Sequence, residues 1–336
     1  MSGPAPAGTD AAAATTEPRR GRLSRARLVP LTSAAGLILV LVAAAVLAPE
    51  FYSSANLANV ARQASILAVI AIGQTFVLLV AGIDLSVGAV MGIAMIVAAQ
   101  VTGGRNGPLF GAIVLALAIG VGIGLVNAVL VVGRRVPPFV ATLAMLILLE
   151  GGRLAWTRGI PSGSIPPTLH QIGAGRVGPV PIPLLVMVLI AAAGMFVLQR
   201  TTYGRAIYAT GLNPRAAAMS GLPTGMITAS AYVISAVLAI VGGLLLSGYI
   251  GYVDRYLGQG FDLDSIAAAV VGGTSLAGGR GGVAGTLLGV ALVAVLLNVV
   301  VLLEAGVGLQ SMIKGLVIVA AVAVQTRTRS AQGAAA

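Results

Sequence analysis

The sequence predicts an all-α, polytopic integral membrane fold of about ten transmembrane helices, some short or broken, and three observations carry that expectation. Of its 336 residues, 58% are apolar and 9% are charged, whereas a soluble domain uses about 25% charged residues to cover its water-facing surface. The apolar residues come in long runs, and about 20 such residues cross a ~30 Å hydrocarbon core. Arginines stand between the runs, as they do in the cytoplasmic loops of membrane proteins.

The same composition excludes several function classes. The net charge of +11 is scattered between apolar segments rather than gathered on one face with aromatic residues, so no nucleic acid is expected as a partner. Without cysteine there are no disulfides or thiolate metal ligands, and the lone His170 makes a histidine-based zinc site improbable. Lys314 is the sole lysine, and its setting "MIKGL" is not a phosphate-binding loop. The chain is therefore expected to hydrolyse no ATP by itself and to carry no cofactor.

Residues 1–27 are rich in Ala, Thr, Pro and Gly and then in Arg19, Arg20, Arg22, Arg25 and Arg27. With too little apolar surface to offset ordering entropy, they read as a disordered basic cytoplasmic tail. The first run, Leu31–Leu47, has a weak likeness to a signal peptide, but further runs follow at once, so it reads as an uncleaved span. Then come Ile66–Ala81, Val87–Val101, Leu109–Val132, Phe139–Leu149, Ile182–Leu198, Met226–Leu246, Ile266–Leu276, Val283–Leu303 and Ile313–Val324. Several fall short of a span and must borrow polar flanks or break inside the membrane.

Alternating sides from a cytoplasmic tail puts Arg134, Arg135, Arg200, Arg205, Arg215, Arg280, Arg327 and Arg329 inside. Removing one span would put the later clusters outside, so the arginines favour ten spans with both termini cytoplasmic. On this reading residues 28–326 form a single transmembrane domain, 327–336 a cytoplasmic C-terminal tail, and no separate soluble domain fits.

Two connecting segments are long. Residues 158–180, outside, are proline- and glycine-rich ("IPSGSIPP"). Residues 200–224, inside, contain "NPRAAAMSG": an N-capping Asn213, Pro214 at the first helical position, a short Ala-rich helix and Gly221 as its stop. A short helix lying in a cytoplasmic loop suits contact with a partner, although an ordinary connector would also fit.

The phrase "AGIDLSVG" sets an acid and a hydroxyl between two apolar runs. Irregular backbone at membrane depth is tolerated only when buried in protein or lining a cavity, and transporters place sites at such broken helices. Asp84 or Ser86 can cap a helix restarting near Leu85, or can contact substrate; both readings stand. In "GGTSLAGGRGGVAG", glycines continue as Gly281, Gly285 and Gly289, a spacing that lets helix backbones approach closely. "AGIDLSVGAVMG" and "AGGRGGVAGTLLG" align loosely, a possible internal repeat. Gln74, Asp84, Ser86, Thr274 and Ser275 are the candidates for lining a pathway or holding a broken helix. Glu150 and Arg153, three apart, are expected to pair. Lys314 is expected to snorkel, and Asp262 and Asp264 to cap the helix over Ile266–Leu276.

Together these phrases resemble the membrane permease of bacterial ATP-binding-cassette (ABC) importers for ribose, xylose and related sugars. The resemblance rests on "ILAVIAIGQTFVLLVAGIDLSVGAVM", "PPFVATLAML", "GLNPRAAAMSG" and "LDSIAAAVVGGTSLAGGRGGVAGTLLG", and runs from about Asn56 to Thr326. It implies a non-catalytic permease subunit of the plasma (inner) membrane working by alternating access. The implied partners are a cytoplasmic ABC ATPase, an extracytoplasmic sugar-binding protein, a second permease copy or paralogue, and membrane lipid. "NPRAAAMSG" matches the family's ATPase-coupling segment through Asn213, Ala216, Ala217 and Gly221, while Pro214 and Arg215 stand where the family commonly has acidic residues. The alternatives from the residues alone are a proton-coupled secondary transporter using Asp84 or Glu150, and a membrane-embedded assembly protein.

Overall fold

A computed structural model describes residues 28–319, apart from 161–162, 255, 257, 305, 307, 314 and 317–318. The basic tail, Lys314, the C-terminal tail and most of the run Ile313–Val324 lie outside the described residues. Each of the other nine runs falls on its own helix. The helices are α1 (Leu28–Leu47), α2 (Ser54–Leu79), α3 (Val87–Thr102), α4 (Leu109–Ala128), α5 (Pro138–Thr157), α6 (Pro167–Ala174), α7 (Ile182–Arg200), α8 (Thr202–Leu212), α9 (Pro214–Met219), α10 (Thr224–Ile250), α11 (Phe261–Val271) and α12 (Val283–Leu302). A two-residue hairpin, β1 (Arg176–Val177) with β2 (Val180–Pro181), links α6 to α7.

Six described helices are long and apolar enough to cross a membrane: α2, α4 with its terminal π turn Val129–Gly133, α5, α7, α10 and α12. α3 and α11, with 16 and 11 residues, are too short to do so alone, since each residue adds about 1.5 Å. The run Phe139–Leu149 reaches a full helix by taking in polar flanks, from Pro138 to Thr157.

α2 is the hub. In its most apolar stretch 89% of residues are buried, against 22% for α5 and α7, and it packs on α10, α11, α12 and α7. Its first turn is capped by the Ser53 hydroxyl accepting from the Asn56 amide. Asn56 then exchanges two carboxamide hydrogen bonds with Asn298 near the end of α12, 2.9 and 3.0 Å long. The outer helices turn large apolar side chains outward, Phe110, Leu189 and Phe196 among them, which is the surface lipid requires.

Three readings need correction. Residues 158–180 are not wholly loop: Pro166 and Pro167 open α6, a proline being suited to the first turn, and His170 joins the Gly248 carbonyl at 2.8 Å. α8 was hidden in the segment expected to hold only α9; the Thr201 hydroxyl caps it by accepting from the Gly204 amide. Asp262 and Asp264 do not cap α11, whose N-cap is Gly260; they lie in its first turn, where a carboxylate favours the helix dipole.

Lipid offers no hydrophobic drive between helices, so backbone proximity carries the packing. A Cβ on Gly289 would overlap the Ala268 carbonyl oxygen, and Gly285 and Gly272 meet in the same way, which brings α12 onto α11. Gly281, expected in that stripe, lies before α12 and packs on Thr274 instead. Gly289→Val is therefore expected to lower the stability of the detergent-solubilised chain by about 1–3 kcal/mol. Gly111→Val, where nothing stands within 4 Å of the new Cβ, should leave the thermal midpoint unchanged.

Candidate functional site: two helix breaks and the helix beside them

Two interruptions share one device. α2 ends with Ala81 in the left-handed region (φ 61°), the Gly82 amide donating to Val77 and the Ala81 amide to Leu78, each at 2.9 Å. α11 ends with Gly273 at φ 95°, the Thr274 amide donating to Ala269 and the Gly273 amide to Val270, again at 2.9 Å. Both are Schellman motifs, which satisfy the last carbonyls of a helix. The aligned phrases place Val87 opposite Val283, and these residues begin α3 and α12. The second break is the longer, running over 272–282 against 80–86.

The first break is held by a buried polar knot. Asp84 is 0% exposed; its Oδ1 accepts from the Ser86 amide at 3.0 Å and the Ser86 hydroxyl at 2.6 Å, and its Oδ2 from the Ser235 hydroxyl at 2.9 Å. Asn127 Nδ2 donates to Ser86 Oγ at 3.0 Å. The Thr142 hydroxyl donates to the Ile83 carbonyl at 3.1 Å. Gln74, with its carboxamide oriented to satisfy both bonds, donates to the Asp84 carbonyl at 3.1 Å and accepts from the Asp84 amide at 3.2 Å. Four helices (α2, α4, α5 and α10) thus tie down one extended segment. The helix restarts at Val87 rather than near Leu85, with Ser86 as an N-cap that makes no side-chain capping bond.

The second break is held from the next residue of α2. Thr75 and Thr286 share a hydroxyl–hydroxyl bond of 2.7 Å, and Thr274 approaches Thr286 at 3.5 Å. Ser275 turns back on its own loop, accepting from the Ala277 amide at 3.2 Å. The tetrad Gln74, Asp84, Ser86 and Thr274 is fully buried, so in one chain these side chains brace the breaks rather than face open space. Asn127, Thr142, Ser235, Thr75 and Thr286 were not singled out from the sequence. The available signal was a polar residue inside an otherwise apolar span, which lipid makes costly.

The breaks also touch each other and α8. The Gly279 amide donates to the Leu79 carbonyl at 2.9 Å. A Cβ on Gly211 would strike that same carbonyl and the Gly279 amide, and a Cβ on Gly278 would lie 2.8 Å from the Gly211 carbonyl. The Tyr208 hydroxyl donates to the Gly281 carbonyl at 2.9 Å. The Tyr203 hydroxyl bonds Ser230 of α10. Burial pushes the Tyr203 phenol above its usual range, the Ser230 bond partly opposing it, and burial does the same at Tyr208; both stay neutral and able to donate at physiological pH.

α8 leads directly into α9. Asn213 caps α9 by accepting from the Arg215 and Ala216 amides, both at 3.1 Å, and Pro214 occupies its first position. Gly221 ends it at φ 80°, with the Leu222 amide donating to Ala217 and the Gly221 amide to Ala218. The three alanines do not share one face. Ala217 is turned inward, whereas Ala216 and Ala218 are exposed and Met219 is 90% exposed.

The family model described as "branched-chain amino acid transport system / permease component" matches residues 56–322. The chain is 36% identical over 299 residues to the ribose import permease protein of Haemophilus influenzae, covering 88% of this chain and 92% of that one. It is 36% identical over 319 residues to the ribose import permease protein of Escherichia coli K12, covering 93% and 99%. With the autoinducer 2 import system permease protein of an Enterobacter species it shares 34% identity over 287 residues, covering 84% and 82%. No solved structure matches it.

The knot predicts strong coupling. Ser235→Ala is expected to cost about 1–3 kcal/mol of stability, the cost of an unsatisfied buried partner, and Asp84→Ala more. In the double variant the Ser235 change should add almost nothing, because its acceptor is already gone. Thermal unfolding of the four proteins measures this, and fully additive losses would show that the carboxylate and hydroxyl do not act together.

Proposed function

The chain belongs to the branched-chain amino acid transport system / permease component family, and from that premise we propose that it is the membrane permease of an ABC sugar importer, with ribose or a close relative as cargo. The observation that carries the reading is the 36% identity to ribose import permeases over nearly the full length of both chains. Ribose, rather than xylose, is the pentose in those relatives' names. The chain is a non-catalytic transport subunit set in the inner membrane by several apolar helices.

On this reading the energy comes from a separate ATPase, and sugar is delivered by a binding protein on the other side of the membrane. The ATPase meets the α9 end, which is cytoplasmic. Arg134, Arg135, Arg200, Arg205, Arg215 and Arg280 belong to segments at that end, the bias expected of a cytoplasmic face. Both chain termini share that side. The permease pairs with a second copy or a paralogue, and the pathway runs between them.

The path of force is short. When the ATPase subunits close, α9 moves as a small rigid piece, fixed by its Asn213 cap and Gly221 stop. α8 moves with it, and Gly211 presses on the meeting point of the two breaks. Both breaks are irregular backbone held by side chains, so they shift more readily than continuous helix. The switch between inward and outward access is then a rearrangement of these two segments about α2. No bond is made or broken in this chain.

The docking face consists of Ala216, Ala218 and Met219, with Leu212 and Met226 flanking it at 62% and 69% exposure. Met219→Glu is expected to weaken ATPase binding about tenfold or more, a change of ~1.4 kcal/mol, with normal amounts of permease in the membrane. Co-purification of the ATPase measures it. Retention of the subunit together with parental transport would show that α9 is a plain connector. Ala217→Glu would instead disturb the permease's own packing.

A further inference from the structure

Cations border the exposed face of α9. Arg215 stands in the first turn of that helix. Arg205 lies about two turns before Leu212 on the same face of α8, since seven residues make nearly two turns. Arg134 and Arg135 follow the π turn that ends α4. Val132 of that turn would meet a Cβ on Gly225 at 3.0 Å, next to Met226. All four arginines are exposed. The sequence holds no acid between Asp84 and Glu150, and none between Glu150 and Asp254. Asp84 itself is buried and bonded to Ser86 and Ser235. The end of α4, α8, α9 and the start of α10 thus carry positive charge only.

A basic bias at one end of a membrane protein follows from insertion alone, but insertion does not explain where two of these arginines stand. Arg135 takes φ 58°, the left-handed place after a helix that glycine usually fills. The Val136 amide closes the turn across it, donating to the Leu130 carbonyl at 3.0 Å. Arg215 follows Pro214 at the start of α9, where the helix amides disfavour a cation. Residues kept in costly conformations cluster at functional surfaces. Between the charges lie the bare side chains of Ala216, Ala218 and Met219. An apolar centre inside a polar rim is the make-up of a protein–protein interface.

We propose that Arg134, Arg135, Arg205 and Arg215 form a basic rim that admits an ATPase subunit whose docking groove is bordered by carboxylates. The proposal deepens the docking reading above and rests on it. The apolar centre supplies the holding contacts. The rim steers the approach, because charge complementarity acts mainly on association rate and on the choice of partner. A subunit with a basic border is disfavoured, since like charges would be pressed together there. Phospholipid headgroups would also take arginines, but they need no bare alanine surface between them.

The test measures how fast the ATPase that co-purifies with the parent chain associates with the permease in phosphatidylcholine nanodiscs. Raising salt from about 0.1 to about 1 M shortens the Debye length from ~10 to ~3 Å and is expected to slow the parent about tenfold. With all four arginines changed to glutamine, association at the lower salt should be about tenfold slower than the parent and should vary less than about twofold with salt. Lysine at the same positions should restore the rate to within about threefold of the parent. Arg215→Gln alone should slow association about threefold, which keeps the test open if the quadruple variant does not fold. A parental rate that ignores salt, or a glutamine variant as fast as the parent, would overturn the proposal. So would a difference between them that emerges only when phosphatidylglycerol is added to the discs, which would assign the arginines to lipid. If the parent binds no ATPase, the docking reading falls and the rim with it. If Met219→Glu weakens binding and the glutamine variant does not, docking stands and only the rim falls.

Discussion

The Gly279 amide donates to the Leu79 carbonyl at 2.9 Å, joining two places where a membrane helix stops short. A broken helix in lipid frees polar backbone groups that water cannot reach, and each must find a partner inside the protein. Here the two interruptions are partners for one another, and glycine makes that possible. At Gly211 and Gly278 a side chain would enter space that neighbouring backbone already fills, and at Gly279 space that Leu212 fills. The contact can form only where α8 and the second break both lack a Cβ.

Once the breaks are joined, α2 has to hold both, and it does so with consecutive residues. Gly73 lets the backbone of α10 approach at Ser235. Gln74 bonds the peptide of Asp84 in the first break, and Thr75 bonds Thr286 beside the second. Asp84 gathers Ser86 and Ser235 around its carboxylate, so the acid in this greasy segment works as a staple. Its hydrogen bonds are individually modest, but removing one member leaves others buried and unpaired, which is the costly outcome. α8 reaches the same junction through Gly211 and Tyr208, and α9 follows it within two residues.

Much of this was legible in the sequence, and the limits have physical causes. Nine apolar runs mark nine helices because lipid demands apolar length. α9 was readable because its cap, proline and stop glycine are local signals. Asp84 stood out as an acid in an apolar setting, but its partners did not. Ser235 lies 151 positions away, and a lone serine in a span carries no mark of the face it occupies. Ala217 illustrates the same limit: three alanines in a row are indistinguishable until the helix is set against its neighbours. α8 was missed because "TYGRAIYATGL" mixes glycines and polar residues, so tertiary packing rather than propensity makes it a helix.

The central claim is that the two breaks form one mechanical unit pinned by α2. Hydrogen exchange in lipid nanodiscs, comparing the parent chain with Gln74→Leu, tests it most directly. Gln74 hydrogen-bonds the Asp84 peptide in the first break, so a local effect would speed exchange at residues 80–86 alone. A cooperative unit opens as a whole, so the account predicts faster exchange at 80–86 and at 272–282 together, extending into α8. Acceleration confined to residues 80–86 would contradict it.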